Sequence, residues 1–165
     1  ETPEKCFLGS FYIRETGEYK DFLINKWENQ LFELVKFLEE NKDKYFVWYN
    51  GLKFDGQVIE YIIRNIEKLS KLSNLEISKS ISEFASDEID KSNFNNRNTY
   101  DEDKMSFKHI DLPSIWHFFN ENRRVSLKVL EFELRAEEIE QHDFTELDKD
   151  YTKEEIYGKD GLILS

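Results

Sequence analysis

Asp55 stands where a run of strand-forming residues hands over to a helical pattern. Phe46, Val47, Trp48 and Tyr49 precede Asn50, and the segment Asn50-Gly-Leu-Lys-Phe54-Asp55 leads into apolar residues at helical spacing. An acid in the first turn of a helix has a simple use. It accepts orphan backbone N–H bonds and faces the positive end of the helix dipole, a cap worth about 0.5–2 kcal/mol. The other use is chemical. A carboxylate is a hard oxygen donor, and Mg²⁺ takes one or two of them while keeping waters and substrate phosphates. Two such ions about 4 Å apart activate a water and stabilise the leaving oxygen in phosphodiester cleavage. One aspartate does not build that site. Glu1, at the head of the chain, is the candidate second acid.

The elements that must position these residues are legible as changes of period. Residues 5–14 (KCFLGSFYIR) alternate as a strand, Gly17 sits in a turn, and residues 20–25 (KDFLIN) close a hairpin. Residues 27–42 carry the strongest helical stripe (Trp27, Leu31, Leu34, Val35, Leu38), with Asn25 as its expected cap. Residues 45–49 read as a buried strand and 57–69 as a second helix with Val58, Tyr61, Ile62 and Ile66 on one face. From 70 to 106 the chain is rich in Ser, Asn and Asp with weak periodicity, so a mobile polar insertion or surface arm is expected there. Residues 107–112 form a further strand, 114–119 a short aromatic segment, and 126–134 a helix capped by Ser126 with Leu127, Leu130 and Leu134 as its apolar face. Thr152 and Glu155 have capping-box spacing. The order predicts an α/β fold in one domain: a mixed sheet, antiparallel hairpin plus parallel strands, flanked by helices. In such sheets chemistry gathers at strand ends.

Composition narrows the function classes. The 165 residues carry 23 Lys and Arg against 35 Asp and Glu, a net charge of −12. That far field repels phosphate, although bound cations reverse the sign locally. The 14 Phe, 8 Tyr and 3 Trp argue for a packed aromatic core. The single cysteine, Cys6, excludes an internal disulfide framework and reads as a small core residue. No apolar run approaches the ~20 residues of a membrane span, and no membrane partner is expected. No Gly-rich phosphate loop, zinc spacing or serine-hydrolase elbow occurs. His109 is expected to be structural, and His117 is not read as a ligand.

The motifs resemble those of the DEDD 3′–5′ exonuclease superfamily. Glu1-Thr2 followed by a glycine-containing hairpin strand is similar to the end of its first motif, Asp-x-Glu-Thr. Asn50 to Asp55 is similar to its second, Asn-x-x-x-(Phe/Tyr)-Asp, at a strand-to-helix junction. Residues 109–137 (HIDLPSIWHFFNENRRVSLKVLEFELRAE) resemble phage-type members, found alone or as proofreading domains of family-B-like DNA polymerases. The resemblance covers most of the chain outside 70–106. It implies a ribonuclease-H-like fold and metal-dependent hydrolysis at DNA 3′ ends with two Mg²⁺ or Mn²⁺ ions. The setting it implies is the cytoplasm of a phage-infected bacterial host, with single-stranded DNA and a polymerase domain as partners. Glu1 and Asp55 would be catalytic metal ligands, Glu1 also handling the attacking water, and Asn50, Lys53 and Phe54 would contact substrate.

The family's first aspartate would lie two positions before Glu1, and its third motif, a Tyr or His followed by an Asp, beyond Ser165. The chain is therefore expected to be part of a longer one, and inactive with two of four acids. Each residue also has a plainer use: Asn50 as a turn residue, Phe54 in the core, Lys53 as a solvated charge, Glu1 as a solvated terminus. Arg123, Arg124 and Lys128 form a basic cluster for phosphate or for neighbouring glutamates. The alternatives are an inactive ribonuclease-H-like module that binds a protein partner, and an acidic mimic of nucleic acid.

Overall fold

A computed structural model describes residues 5–94 and 105–116, together with Val129, Phe132, Thr152, Lys153 and Tyr157. Strand β1 (Phe7–Ile13) pairs antiparallel with β2 (Glu18–Ile24), in a register running from Phe7 opposite Ile24 to Ile13 opposite Glu18. The turn closes as Gly17 donates its N–H to the Ile13 carbonyl at 2.8 Å, with Gly17 at φ 73°, a conformation that favours glycine. One face of the hairpin turns Phe7, Phe11, Phe22 and Ile24 toward the core. The other shows the directly opposed pair Tyr12 and Tyr19, rings 5.1 Å apart and both exposed.

Helix α1 (Leu31–Glu40) buries Leu31, Leu34 and Leu38. It starts four residues later than the apolar stripe predicts. Asn25, expected as its cap, accepts the N–H groups of Trp27 and Glu28 on Oδ1, both at 2.7 Å, and so holds a separate turn. Strand β3 (Phe46–Trp48) lies parallel to β4 (His109–Asp111), pairing Phe46 with His109 and Trp48 with Asp111. Among the described residues the expected single mixed sheet is two two-stranded sheets, with Phe11 and Phe46 in edge contact between them at 6.1 Å. The mixed α/β class stands, with an antiparallel hairpin, a parallel pair and helices.

The expected second helix is two: α2 (Asp55–Arg64) and α3 (Ile66–Leu69). They divide at Asn65, whose side-chain amide donates to the Tyr61 carbonyl at 2.8 Å. The segment 70–106 departs furthest from expectation. Within it α4 (Asn74–Phe94) is a 21-residue helix. A reciprocal capping box starts it: Ser73 N–H donates to Glu76 Oε2 at 2.8 Å, and Glu76 N–H reaches Ser73 Oγ at 3.4 Å. Ile77 and Ile81, four apart, are 1 % exposed. Tyr61 of α2 stacks on Phe84 at 4.2 Å, and its hydroxyl bonds Ser80 Oγ at 2.7 Å. Helix α4 contributes to the core and is not an appendage. Ser78, fully buried, and Ser80, bonded to Tyr61, interrupt the apolar period on its inner side.

Helix α5 (Leu112–Trp116) follows β4 directly. Among the described residues no helix is long and apolar enough to cross a membrane. The predicted helix 126–134 lies outside the described residues except for Val129 and Phe132, which are helical and exposed.

Candidate functional site

The turn between β3 and α2 is shaped by two glycines and one left-handed residue. Asn50 is exposed and has φ 63°, unusual for a residue with a Cβ but tolerated by asparagine. Gly51 lies against the indole of Trp48 so closely that a Cβ would overlap the ring. The Gly51 carbonyl then accepts two N–H groups, from Phe54 at 3.3 Å and from Gly56 at 2.7 Å. A Cβ at Gly56 would come 2.8 Å from that same carbonyl. The turn is thus pressed flat on Trp48 and tied to the first residues of α2, one of which is Asp55.

Asp55 is the first residue of α2 and the acid of its first turn. The residue before the helix is Phe54, and no side-chain bond caps the helix there. A capping carboxylate that accepts helix N–H bonds is held in its charged form, below the ordinary range. The Asp55 pKa is instead raised, first by desolvation, partly opposed by its own backbone N–H, and then by the charge of Asp111. Asp55 is exposed to solvent. It is a crowded carboxylate that solvent can still reach, as a cation-binding group must be.

Asp111 is the partner that spacing did not point out. It is 7 % exposed, at the end of β4, level with Trp48. Burial raises its pKa. The backbone N–H groups of Asn50, Leu52 and Gly51 pull it back, and His109 does so to a lesser degree. Its Oδ1 is buried without a hydrogen-bond partner among the described residues. A sequence signal did exist: Phe107, His109 and Asp111 alternate along a strand that ends in an acid. Tyr49 also feels Asp111, its pKa raised by burial and then by that charge.

The chain matches no protein-family model, no curated protein and no solved structure.

Of the other expected site residues, Lys53 is exposed beside Asp55, and Phe54 is half-buried against the core. Glu1 lies outside the described residues, as do Arg123, Arg124, Lys128 and His117. His109 is half-buried, its ring 6.2 Å from that of Trp48. Cys6 is free and half-buried, and burial pushes its thiol up to about 11, which leaves it unreactive near neutral pH. Among the described residues no three His, Cys, Asp or Glu side chains form a metal-holding group. Asp55 and Asp111 are a pair of hard oxygen donors, one with an orphaned oxygen, and that donor type fits Mg²⁺ or Mn²⁺.

Proposed function

We propose that this chain belongs to a metal-dependent 3′–5′ exonuclease of the DEDD type, with a ribonuclease-H-like fold and single-stranded DNA 3′ ends as its substrate. The observation that carries the reading is Asp55, a solvent-reachable carboxylate with a raised pKa at a strand-to-helix turn, joined there by the charge of Asp111. Perturbed carboxylates cluster at functional sites, and in open α/β sheets ligands bind at the ends of the strands. The antiparallel hairpin and the parallel β3–β4 pair support the fold half of the reading, because a ribonuclease-H-like sheet contains both.

In this reading Asp55 holds a divalent cation together with Glu1. When bound, the ions supply the activation of water and the stabilisation of the leaving oxygen. The chain's own residues do the placing. Asn50 and Phe54 bracket the turn and meet the terminal nucleotide, where an aromatic ring accepts any base. Lys53 is an exposed positive charge next to Asp55, suited to a phosphate oxygen. A polymerase domain is the expected neighbour.

The test is digestion of single-stranded DNA by the protein in Mg²⁺ or Mn²⁺, wild type against Asp55→Ala. A loss of about 10²–10³-fold or more is expected for removal of a group that stabilises transition-state charge. Undiminished digestion by the variant would sink the assignment. A second reading, an inactive module that binds a protein partner, draws on the exposed apolar residues Leu8, Tyr12 and Tyr19 of the hairpin. It expects no digestion from either protein, and loss of partner binding in Tyr12→Ser/Tyr19→Ser.

A further inference from the structure

We propose that Tyr157 is a latch: its hydroxyl, held between the side chains of Asn25 and Glu28, fastens the C-terminal part of the chain to the turn at the end of the hairpin, and the two open as one unit. Asn25 is 0 % exposed, and its side chain serves both partners. Its Oδ1 accepts the N–H groups of Trp27 and Glu28, both at 2.7 Å, and its Nδ2 donates to the Tyr157 hydroxyl at 3.2 Å. That hydroxyl donates in turn to Glu28 Oε2 at 2.9 Å. The Asn25 N–H donates to the Glu28 carbonyl at 2.8 Å. These bonds close a ring through three residues, and Tyr157 enters it from 132 positions along the chain from Asn25.

A phenol hydroxyl both donates and accepts, so Tyr157 takes the Asn25 amide proton and gives its own to Glu28. Bonds to a charged acceptor are about twice as strong as neutral ones. Burial raises the Tyr157 pKa above its ordinary 10.0, so the hydroxyl keeps its proton through the neutral range. Without that hydroxyl the buried Asn25 amide loses this acceptor and Glu28 loses this donor. The Asn25 side chain is then freer to move, and its Oδ1 holds the Trp27 and Glu28 amides less firmly. The turn sits at a joint of the fold. Strand β2 ends at Ile24, and Gln30 clasps Leu23 by two bonds, accepting its N–H on Oε1 at 2.7 Å and donating to its carbonyl at 3.0 Å. Helix α1 begins at the next residue, Leu31. The latch thus ties the C-terminal part of the chain to the joint between hairpin and α1. Tyr157 is half-buried and held there by side-chain bonds, a contact able to release while the core stays folded. Asn25, Glu28 and Tyr157 are not residues of the proposed nuclease site, so the latch does not depend on that reading.

The experiment is amide hydrogen exchange on wild type, Tyr157→Phe, Glu28→Ala, Glu28→Gln and the double variant Tyr157→Phe/Glu28→Ala. Tyr157→Phe keeps the ring and removes the hydroxyl alone. In it the amides of Trp27 and Glu28 are expected to exchange at least about tenfold faster, with that of Ile62 in α2 unchanged. Coupling is reciprocal, so Glu28→Ala should speed exchange at the Tyr157 amide by a similar factor. Glu28→Gln keeps a neutral oxygen acceptor and should fall between Glu28→Ala and wild type. The double variant should stay well below the product of the two single factors, because both changes break the same ring. Exchange at 27 and 28 that keeps the wild-type rate in Tyr157→Phe, or that rises equally at Ile62, overturns the proposal. So does a Tyr157 amide untouched by Glu28→Ala, or a double variant in which the two factors multiply. If Glu28→Ala does not fold, Glu28→Gln decides by the same measures.

Discussion

The backbone of Gly51 rests on the face of Trp48, with no space between them for a methyl group. The contact couples the end of β3 to the turn that carries Asp55. Gly51→Ala is expected to destabilise the protein by about 1–3 kcal/mol, the usual range for overpacking a filled interior. Gly17 is the control. Unlike Gly51 it has a positive φ, 73°, and nothing lies within 4 Å of a Cβ built there. Gly17→Ala carries only the backbone term, about 1–2 kcal/mol. Urea unfolding measures both. The variants part company at the site: Gly51→Ala should also speed amide exchange at 52–56, and Gly17→Ala should not. Equal exchange in the two would mean that the Trp48 contact does not hold the turn.

Helix α4 supplies Ile77 and Ile81 to the same core as Leu34 and Ile62. If it is integral, Ile81→Ala costs about 2–5 kcal/mol, as for other large-to-small core changes. Phe32, on the outer face of α1 at 60 % exposure, should tolerate alanine within about 0.5 kcal/mol. A polar arm appended to the fold would show the opposite insensitivity, with Ile81→Ala unfolding at the wild-type urea concentration.

What the sequence revealed depended on how strongly local pattern and tertiary packing agreed. The hairpin was legible because Phe7, Phe11 and Ile13 alternate around a glycine turn. The site turn was legible because Asn50, Gly51 and Asp55 sit at an abrupt change from strand to helix period. Helix α4 was not, because Ser78 and Glu88 interrupt its buried side, although Ser73 and Glu76 spell a capping box and Ile77 and Ile81 repeat at four. Asp111 was legible only as an acid ending an alternating strand, because its place level with Trp48 exists only in the parallel register with β3. No local pattern encodes a pairing across more than sixty residues of chain, from Trp48 to Asp111. The start of α1 was misplaced for a smaller reason. Asn25 closed its own turn first.

Glu60 fastens the chain returning from the 95–104 stretch to α2. It is 5 % exposed and accepts Ser106 N–H at 2.9 Å, Ser106 Oγ at 2.7 Å and Arg64 Nε at 2.6 Å. The bonds to Ser106 join a buried carboxylate to the segment leading into β4, so they matter more than the ion pair to Arg64, whose side chain is 56 % exposed. Glu60→Ala should cost about 1.5–3 kcal/mol, Ser106→Ala about 0.5–1.5. Arg64→Ala should cost under about 1 kcal/mol. A double-mutant cycle on Glu60 and Ser106 should give a coupling of at least about 0.5 kcal/mol. Additive losses would show that the two act separately.

Metal and pH should act on Asp55 and Asp111 in opposite directions. Both carboxylates have folded-state pKa values raised above 3.8, so each binds its proton more tightly in the folded chain than in the unfolded one. Their contribution to stability therefore falls as the pH rises from 3.8 through the raised values, and returns as the pH falls. The charge of Asp111 disfavours the charged form of Asp55. A divalent cation favours that charged state, and excess Mn²⁺ at about 100-fold its Kd would stabilise the fold by about 2.7 kcal/mol. For a chain of this size that is a Tm rise of several degrees, at about 2–4 °C per kcal/mol. The rise should vanish near pH 3.8, where protons compete for the same oxygens. Asp55→Asn should raise the metal-free Tm slightly at neutral pH, by removing the like charge, and should abolish most of the Mn²⁺ increment. A full Mn²⁺ increment in Asp55→Asn would place the cation elsewhere and remove the physical basis for assigning Asp55 to metal chemistry.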